Sequence, residues 1–260
     1  MAAVSYLNTV PLVWGMLHGP QQADFDLDFS VPSECARRIE SGVAAIGIVP
    51  VAEMERQGLE AVPGTGIACQ GAVRSILLVS KVEPSRIRTL AADSGSRTSV
   101  RLARIILGER YGAAPRTFEH APALEPMLAQ ADAALLIGDA ALRVDPASLP
   151  YACCLDLGAE WLDLTGLPMV FAMWAGRPEL IRRWDPAWLA GCLSGSLDFG
   201  LAHLEEIVAR EAATRGLAAA LVREYLTRHI VFRIGRREQE GLAMFQKLSA
   251  KASPETVSSL

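Results

Sequence analysis

Residues 71–81 read GAVRSILLVSK, a long run of residues that favour β-strands, and a polar joint, KVEPSR, follows at 81–86. A second long run of this kind, GLPMVFAMWAG, occupies residues 166–176. The block between the two runs carries its own strand and helix patterns, as a separate domain does. The two runs are therefore predicted to be crossing strands, which join an inserted domain at 79–170 to a discontinuous outer domain at 1–78 and 171–260.

Segments typical of strands and of helices alternate in both predicted domains. The run AAIGIVPV at 44–51 is apolar throughout, which is typical of a strand buried on both faces. The strand-like TLAAD at 89–93 precedes an amphipathic helical pattern at 98–112. This alternation predicts an α/β fold with largely parallel sheets, and the chain after residue 178 is predicted to be mainly helical. Ligands of such folds bind beyond the carboxyl ends of the strands, here in a predicted cleft between the domains.

The composition argues against several classes of protein. The chain has 260 residues, is 51% hydrophobic and has a net charge of −4, without the basic stripe that binds nucleic acid. No stretch has the length and apolar character of a membrane span, and the N-terminus lacks the pattern of a secretory signal. We therefore expect a cytoplasmic protein that binds neither nucleic acid nor membranes.

The cysteines and histidines are not spaced as metal ligands. The five cysteines are an odd number without a C-x-x-C pair, which is typical of reduced, buried thiols. The four histidines are scattered, and the sequence has no H-E-x-x-H, no phosphate-binding loop and no G-x-S-x-G turn. No metal and no organic cofactor is predicted.

The strongest local signal for a binding site is DSGSRTS at 93–99. A strand is predicted to end at Asp93, and Gly95 permits a tight turn before a helix. The first residues of that helix are Ser96, Arg97, Thr98 and Ser99. Backbone N–H groups, hydroxyls and a guanidinium would converge there, which suits a carboxylate or a phosphate. Simple capping of the helix is the alternative, and the two roles are compatible.

Asn8 is a second candidate, at the predicted end of the first strand, VSYL, and before a helix that begins near Pro11. Its amide both donates and accepts hydrogen bonds, so it can hold a hydroxyl or a carboxylate without adding charge. In the alternative interpretation, Asn8 or Thr9 only caps the following helix.

Further candidates lie in two other predicted strands. Ser75 places a hydroxyl in the apolar run VRSILL, where it either binds a ligand or bonds to the backbone. Gly138 and Asp139 end the buried strand ALLIG, and Asp139 either binds a substrate hydroxyl, takes a proton or caps the next helix. Asp145 and Asp156 are interpreted as ordinary loop acids.

Six motifs, in order along the chain, resemble the MqnA/MqnD family of menaquinone-biosynthesis proteins. They are V-S-Y-L-N-T-x-P-L, P-x-x-x-A-x-x-I-x-S-G, G-A-V-R-S-I-L-L-V-S-K, S-x-S-R-T-S-V-R-L, D-A-A-L-L-I-G-D-A-A-L and D-L-G-x-E-W-x-x-x-T-G-L-P-x-V-F-A. The match runs from residue 4 to about residue 177 and more loosely to Phe245. The resemblance implies the fold of type II periplasmic binding proteins, with two domains, two crossing strands and a cleft, but without export.

The resemblance also implies an activity. The first motif is closer to the family's chorismate dehydratases than to a sister enzyme that makes a dihydroxynaphthoate. A hydro-lyase of this kind removes water from chorismate to give 3-[(1-carboxyvinyl)oxy]benzoate, the first step of the futalosine route to menaquinone. Asn8 would then help to hold chorismate. The residues that would bind the oxygens of chorismate are Ser75, Ser96, Arg97, Thr98, Ser99 and Gly138. A small-carboxylate binding protein of the cytoplasm, without catalysis, is the alternative function.

Two candidates remain for the base that removes the ring proton. The motifs contain no histidine, and Lys81 at the polar joint is expected to be solvated. Asp139 and the enolpyruvyl carboxylate of the substrate remain. A dianion beside Asp139 would raise the pKa of that residue, which suits a base but weakens binding. The sequence interpretation favours the substrate carboxylate.

Overall fold

The computed structural model describes residues 1–93, 95 and 97–251. The strands are β1 (Ala2–Val4), β2 (Asp28–Ser30), β3 (Ile46–Pro50), β4 (Glu60–Cys69), β5 (Ile76–Ser80), β6 (Thr89–Asp93), β7 (Arg116–His120), β8 (Ala133–Ile137), β9 (Cys153–Asp156), β10 (Met169–Gly176) and β11 (Val231–Ile234). The α-helices are α1 (Val10–His18), α2 (Pro32–Glu40), α3 (Val51–Gln57), α4 (Arg97–Tyr111), α5 (Leu124–Gln130), α6 (Gly138–Leu142), α7 (Leu157–Thr165), α8 (Pro178–Ile181), α9 (Pro186–Ala202), α10 (Leu204–Arg215), α11 (Ala219–Glu224) and α12 (Arg236–Lys251). Short 3₁₀ turns lie at Leu7–Thr9, Pro84–Arg86 and Pro146–Ser148, and a π-helical turn at Tyr225–His229.

The described chain forms two compact units. The first comprises Met1–Ala68 and Val170–Gln239, and the second Cys69–Met169 with residues 240–251. The first unit holds a six-stranded sheet in the order β11-β4-β10-β3-β1-β2. Strands β1, β2 and β3 are parallel, whereas β10 runs antiparallel to β3 and β11 antiparallel to β4. The apolar run of the sequence supplies β3, in which every residue is buried.

Helix α1 of the first unit packs closely against α9. A Cβ atom on Gly200 would lie 2.2 Å from the carbonyl oxygen of Pro11, so only glycine fits at this position. The Ser196 hydroxyl donates to the Leu12 carbonyl at 2.8 Å and accepts from the Met16 N–H at 3.2 Å. The position of α1, and of the 3₁₀ turn that leads into it, is thus fixed by its contact with α9.

The second unit holds a five-stranded sheet in the order β7-β6-β8-β5-β9. Strand β6 is parallel to β7 and β8, and β5 is antiparallel to both of its neighbours, β8 and β9. Residues 76–80 of the first long β run form β5, and all of them are buried. Since Ile76 lies opposite Ile137, the beginning of β5 lies at the same sheet edge as the end of β8. Strand β6 ends at that edge as well, because it is parallel to β8.

The α/β class is confirmed, but the expectation of largely parallel sheets is wrong, because both sheets are mixed. The two long β runs supply the reversed strands β5 and β10, each antiparallel to a parallel group. Strands β4 and β11 were not predicted from the sequence. Strand β11 interrupts a region expected to be mainly helical. No helix of the described chain is both long enough and apolar enough to cross a membrane.

Candidate functional site

Three neighbouring strands of the second unit bring candidate residues to one edge of its sheet. Asp93 ends β6, Gly138 follows β8, and Ser75 precedes β5. The Gly138 N–H donates to the Ser75 carbonyl at 2.8 Å, which holds these two backbones together. Ser75 is buried, with 2% of its surface exposed. The structure therefore brings together Ser75 and Gly138 from segments that are distant in the sequence.

Helix α4 begins at this edge, directly after the turn that follows β6. Thr98 and Ser99 in its first turn are buried, whereas Arg97 is exposed. The first turn of a helix presents backbone N–H groups and the positive end of the helix dipole, both of which favour an anion. Ser96, the remaining residue of the predicted motif, lies outside the described residues.

Asp93 is a residue of this edge to which the sequence analysis gave no role. Its Oδ1 accepts a hydrogen bond from the Gly95 N–H at 2.9 Å. Burial raises the pKa of the Asp93 carboxyl, and hydrogen bonds from the backbone N–H groups of Gly95 and Ile137 oppose that rise. The carboxylate thus links the turn after β6 to the end of β8. The signal was available in the sequence, since an acid at the end of a buried strand must find donors.

Gly138 and Asp139 occupy the first turn of α6. Gly138 has a φ of 56°, in the left-handed region that glycine adopts without strain. The N-cap residue of α6 is Ile137, so the interpretation of Asp139 as that cap is wrong. Asp139 is half-buried, and its carbonyl accepts a bond from the Arg143 guanidinium at 3.2 Å.

The segment before Ser75 is held by Asp156, which corrects the interpretation of this residue as an ordinary loop acid. The Asp156 carboxylate caps α7 and accepts four backbone N–H bonds. Their donors are Val73 at 2.9 Å, Arg74 at 2.6 Å, Gly158 at 2.9 Å and Ala159 at 3.1 Å. Among the residues described by the structure, only Arg74 has a positive φ without being glycine, at 64°. Such a conformation costs about 1–3 kcal/mol and is held here by the carboxylate.

The Arg74 side chain extends the same arrangement to α6. Its guanidinium donates to the carbonyls of Ala141 at 3.0 Å and Leu142 at 3.4 Å, and to that of Val144. These carbonyls lie at the carboxyl end of α6, where a cation is favoured by the helix dipole. The segment directly before Ser75 is therefore anchored to α6 and to the N-cap residue of α7.

Asn8 lies in the first unit, separately from the residues above. Strand β1 ends at Val4, earlier than predicted, and Asn8 lies in the 3₁₀ turn at Leu7–Thr9. The N-cap residue of α1 is Thr9, whose side chain makes no capping bond. Thr9 therefore occupies the N-cap position, as the alternative interpretation allowed, but without a side-chain capping bond, and Asn8 is not the cap.

Of the two polar atoms of the Asn8 amide, one has a hydrogen-bond partner among the described residues and one has none. Its Nδ2 donates to the hydroxyl of Tyr225 at 3.1 Å. Its Oδ1 is buried and, within the part of the chain that the structure describes, has no hydrogen-bond partner. Tyr225 is a residue that the sequence analysis missed, and no local pattern could have found it, because it lies 217 residues away.

Burial raises the pKa of the cysteine thiols, and the described residues form no metal site. Burial raises the pKa of the Cys153 thiol to about 11 and raises that of Cys69 further, so both thiols are protonated at neutral pH. Lys81 is exposed, and its Nζ donates to the Leu128 carbonyl at 2.5 Å. Within residues 1–93, 95 and 97–251, no group of three or more His, Cys, Asp or Glu side chains is placed to hold a metal ion.

Comparison with solved structures shows the fold. Protein AF1704 from Archaeoglobus fulgidus has a TM-score of 0.75 at 13% identity, with 96% of each chain covered. The periplasmic aliphatic sulphonate binding protein SsuA from Escherichia coli has a TM-score of 0.64 at 14% identity, covering 96% of this chain and 85% of its own. These likenesses confirm the expected periplasmic-binding-protein-like fold and show no more than the fold.

Comparison of sequences shows the family. A chorismate dehydratase from Thermus thermophilus is 30% identical over 239 residues, which cover 85% of this chain and 84% of that protein. The profile of a family described as "Menaquinone biosynthesis" matches residues 1–251. The six ordered motifs and the strand-end residues lie within that match, and the chain therefore belongs to the menaquinone biosynthesis family.

Proposed function

We propose that this chain is a chorismate dehydratase, a hydro-lyase that converts chorismate to 3-[(1-carboxyvinyl)oxy]benzoate and water at the start of the futalosine route to menaquinone. The observation that carries the proposal is the Thermus thermophilus relative of that name, which is 30% identical and covers 85% of the chain. A cytoplasmic location is part of the proposal. The candidate residues described above carry the hydrogen-bond donors and the hydrogen-bond acceptor that we propose for chorismate.

Chorismate presents mainly hydrogen-bond acceptors. Its two carboxylates and its ether oxygen only accept, and its ring hydroxyl is its one good donor. The first turn of α4 carries the complementary groups, namely the hydroxyls of Thr98 and Ser99, the Arg97 guanidinium and backbone N–H groups. We assign one carboxylate of chorismate to this turn, with Ser96 as a further proposed ligand. Ser75 and Gly138, at the same sheet edge, are proposed to contact the substrate there.

The amide oxygen of Asn8 can accept a hydrogen bond from the one good donor of chorismate, its ring hydroxyl. An amide oxygen that is buried without a partner is unfavourable, and it repels a carboxylate. A hydroxyl would satisfy it. We therefore assign the ring hydroxyl of chorismate, the group lost in the reaction, to Oδ1 of Asn8.

The reaction needs positioning and one proton transfer. A base takes a proton from a ring carbon, the electrons of that C–H bond enter the ring, and the C–O bond breaks. The released hydroxide leaves as water after it gains a proton, and the ring becomes aromatic. Fixed geometry and exclusion of water then supply the acceleration. We propose that the enolpyruvyl carboxylate of chorismate takes the proton, and that Asp139 is not the base.

Incubation of the purified protein with chorismate, followed by chromatography, tests the function. We expect 3-[(1-carboxyvinyl)oxy]benzoate to accumulate with the wild type and only slowly with Asn8→Ala, at nearly unchanged unfolding free energy. Chorismate that binds but is recovered unchanged would support the alternative, a small-carboxylate binding protein, which the fold alone allows equally. Wild-type turnover by a folded Asn8→Ala variant would remove Asn8 from the site.

The variant Asp139→Asn tests the assignment of the base. If the substrate carboxylate takes the proton, this variant keeps a substantial part of its turnover. If Asp139 is the base, the rate falls roughly 10²–10⁴-fold. A chorismate analogue with an amide in place of the enolpyruvyl carboxylate is the complementary probe. Rapid dehydration of that amide, together with an inactive but folded Asp139→Asn variant, would make Asp139 the base.

A further inference from the structure

The bond between Asn8 and Tyr225 has a chemical consequence for the site. A carboxamide has two orientations that differ by half a turn, and they exchange its acceptor oxygen with its donor nitrogen. Nδ2 donates to the Tyr225 hydroxyl at 3.1 Å, so that Oδ1 is the atom left for another partner. A reversed amide would present N–H groups instead. A phenol hydroxyl can donate as well as accept, and the observed arrangement, with Oδ1 presented, is the one in which the phenol accepts from Nδ2.

Tyr225 is held firmly enough for this role. Only 1% of its surface is exposed, so its ring is fixed by packing within the first unit. It begins the π-helical turn Tyr225–His229, directly after α11. Turns of this kind are rare and occur often at functional sites, because they displace one side chain from the regular helical position.

We infer that Tyr225 is a positioning residue, which orients the Asn8 amide so that Oδ1 accepts the hydroxyl of the substrate. The inference rests on the proposed function for the identity of that substrate. It does not place Tyr225 in contact with chorismate. Its action passes through Asn8 alone, and this distinguishes it from a residue that only stabilises the fold.

A double-mutant cycle tests the inference, with Asn8→Ala, Tyr225→Phe and the double variant compared with the wild type. Tyr225→Phe removes only the hydroxyl, and we expect kcat/KM for chorismate to fall roughly 3- to 10-fold, the effect of one neutral hydrogen bond. Asn8→Ala should cost roughly 100-fold or more. Because Tyr225 acts through Asn8, the double variant should be no worse than Asn8→Ala. Multiplied losses in the double variant would overturn the inference.

The matched control is Tyr151→Phe, which removes a phenol hydroxyl that donates to Glu125 at 2.6 Å in the second unit. Tyr151→Phe should either leave kcat/KM unchanged or lower it by a factor that multiplies with the loss in Asn8→Ala. The Kd of chorismate for the same variants separates the two proposals. A wild type that binds chorismate without turnover, with a Kd cycle that shows the same coupling, would overturn only the proposed function. A wild type that neither binds nor converts chorismate would overturn both.

Discussion

At the scale of single residues, the buried carboxyl of Asp93 joins the turn after β6 to the end of β8. Its raised pKa means that burial costs more than the two backbone N–H bonds return. A group whose pKa rises on folding makes the folded chain bind more protons than the unfolded chain between the two pKa values. Its contribution to stability therefore falls as the pH rises through that range.

The variant Asp93→Asn tests this pH dependence. Asparagine cannot ionise, but it keeps an oxygen for the Gly95 N–H at nearly the same position. We expect the unfolding free energy of the wild type to fall relative to that of the variant as the pH rises from about 4 towards neutrality. Urea unfolding at constant ionic strength and several pH values measures the difference. A difference that stays constant across this range would contradict the raised pKa.

Local sequence allowed some site residues to be predicted but not others. Thr98 and Gly138 lie where a predicted strand ends or a predicted helix begins, so their neighbourhood follows from the chain itself. Tyr225 is different, because it lies 217 residues from Asn8, to which its hydroxyl is hydrogen-bonded. Only the folded first unit shows which side chain bonds to the Asn8 amide.

At the scale of secondary structure elements, two aspartates that the sequence does not distinguish have different importance. The Asp156 carboxylate accepts from four backbone N–H groups in two segments, whereas the Asp145 carboxylate accepts from the Ala147 N–H at 3.1 Å in an exposed 3₁₀ turn. A buried donor left unsatisfied costs about 1–3 kcal/mol. We expect Asp156→Ala to lower the unfolding free energy by about 3 kcal/mol or more.

Asp145→Ala is the matched control for this loss. The removal of a single exposed cap costs about 1 kcal/mol or less. Urea unfolding of both variants, followed by circular dichroism, gives the comparison. Equal losses would show that the segment before Ser75 is held by other contacts, and that the left-handed conformation of Arg74 does not depend on Asp156.

The close packing of α1 on α9 gives a second prediction at this scale. Gly200→Ala places a Cβ atom against the Pro11 carbonyl oxygen, so the two helices must move apart. Overpacking of this kind costs about 1–3 kcal/mol. Gly191→Ala, in the same helix, adds a Cβ with no atom within 4 Å and should be neutral or stabilising by up to about 1 kcal/mol.

Thermal unfolding of the two glycine variants distinguishes them. We also expect Gly200→Ala to lower chorismate turnover, because α1 follows directly from the 3₁₀ turn that carries Asn8. Gly191→Ala should keep full turnover. If the two alanine variants have the same Tm and the same turnover, the close contact between α1 and α9 does not fix the position of Asn8.

At the scale of the whole molecule, the sequence predicted the elements better than their directions. Alternating patterns identify buried strands and amphipathic helices, because burial imposes the period. They do not show that β5 and β10 run against their neighbours, since strand direction depends on where the chain returns. Strand β4 was missed because EAVPGTGIAC contains Pro63, Gly64 and Gly66, residue types that are rare in strands. Strand β11 is only four residues long and lies among helices.

The distance in sequence between Asn8 and Tyr225 also bears on the biosynthesis of the protein. During synthesis Asn8 leaves the ribosome 217 residues ahead of its partner Tyr225. At about 5–20 residues per second, Asn8 waits roughly 10–40 s for the phenol to which its amide bonds. A prematurely terminated chain that stops before α11 would carry Asn8 without Tyr225. The Asn8–Tyr225 bond therefore forms only after the chain has been synthesised beyond Tyr225, so any activity that needs this bond requires chains that extend past that residue.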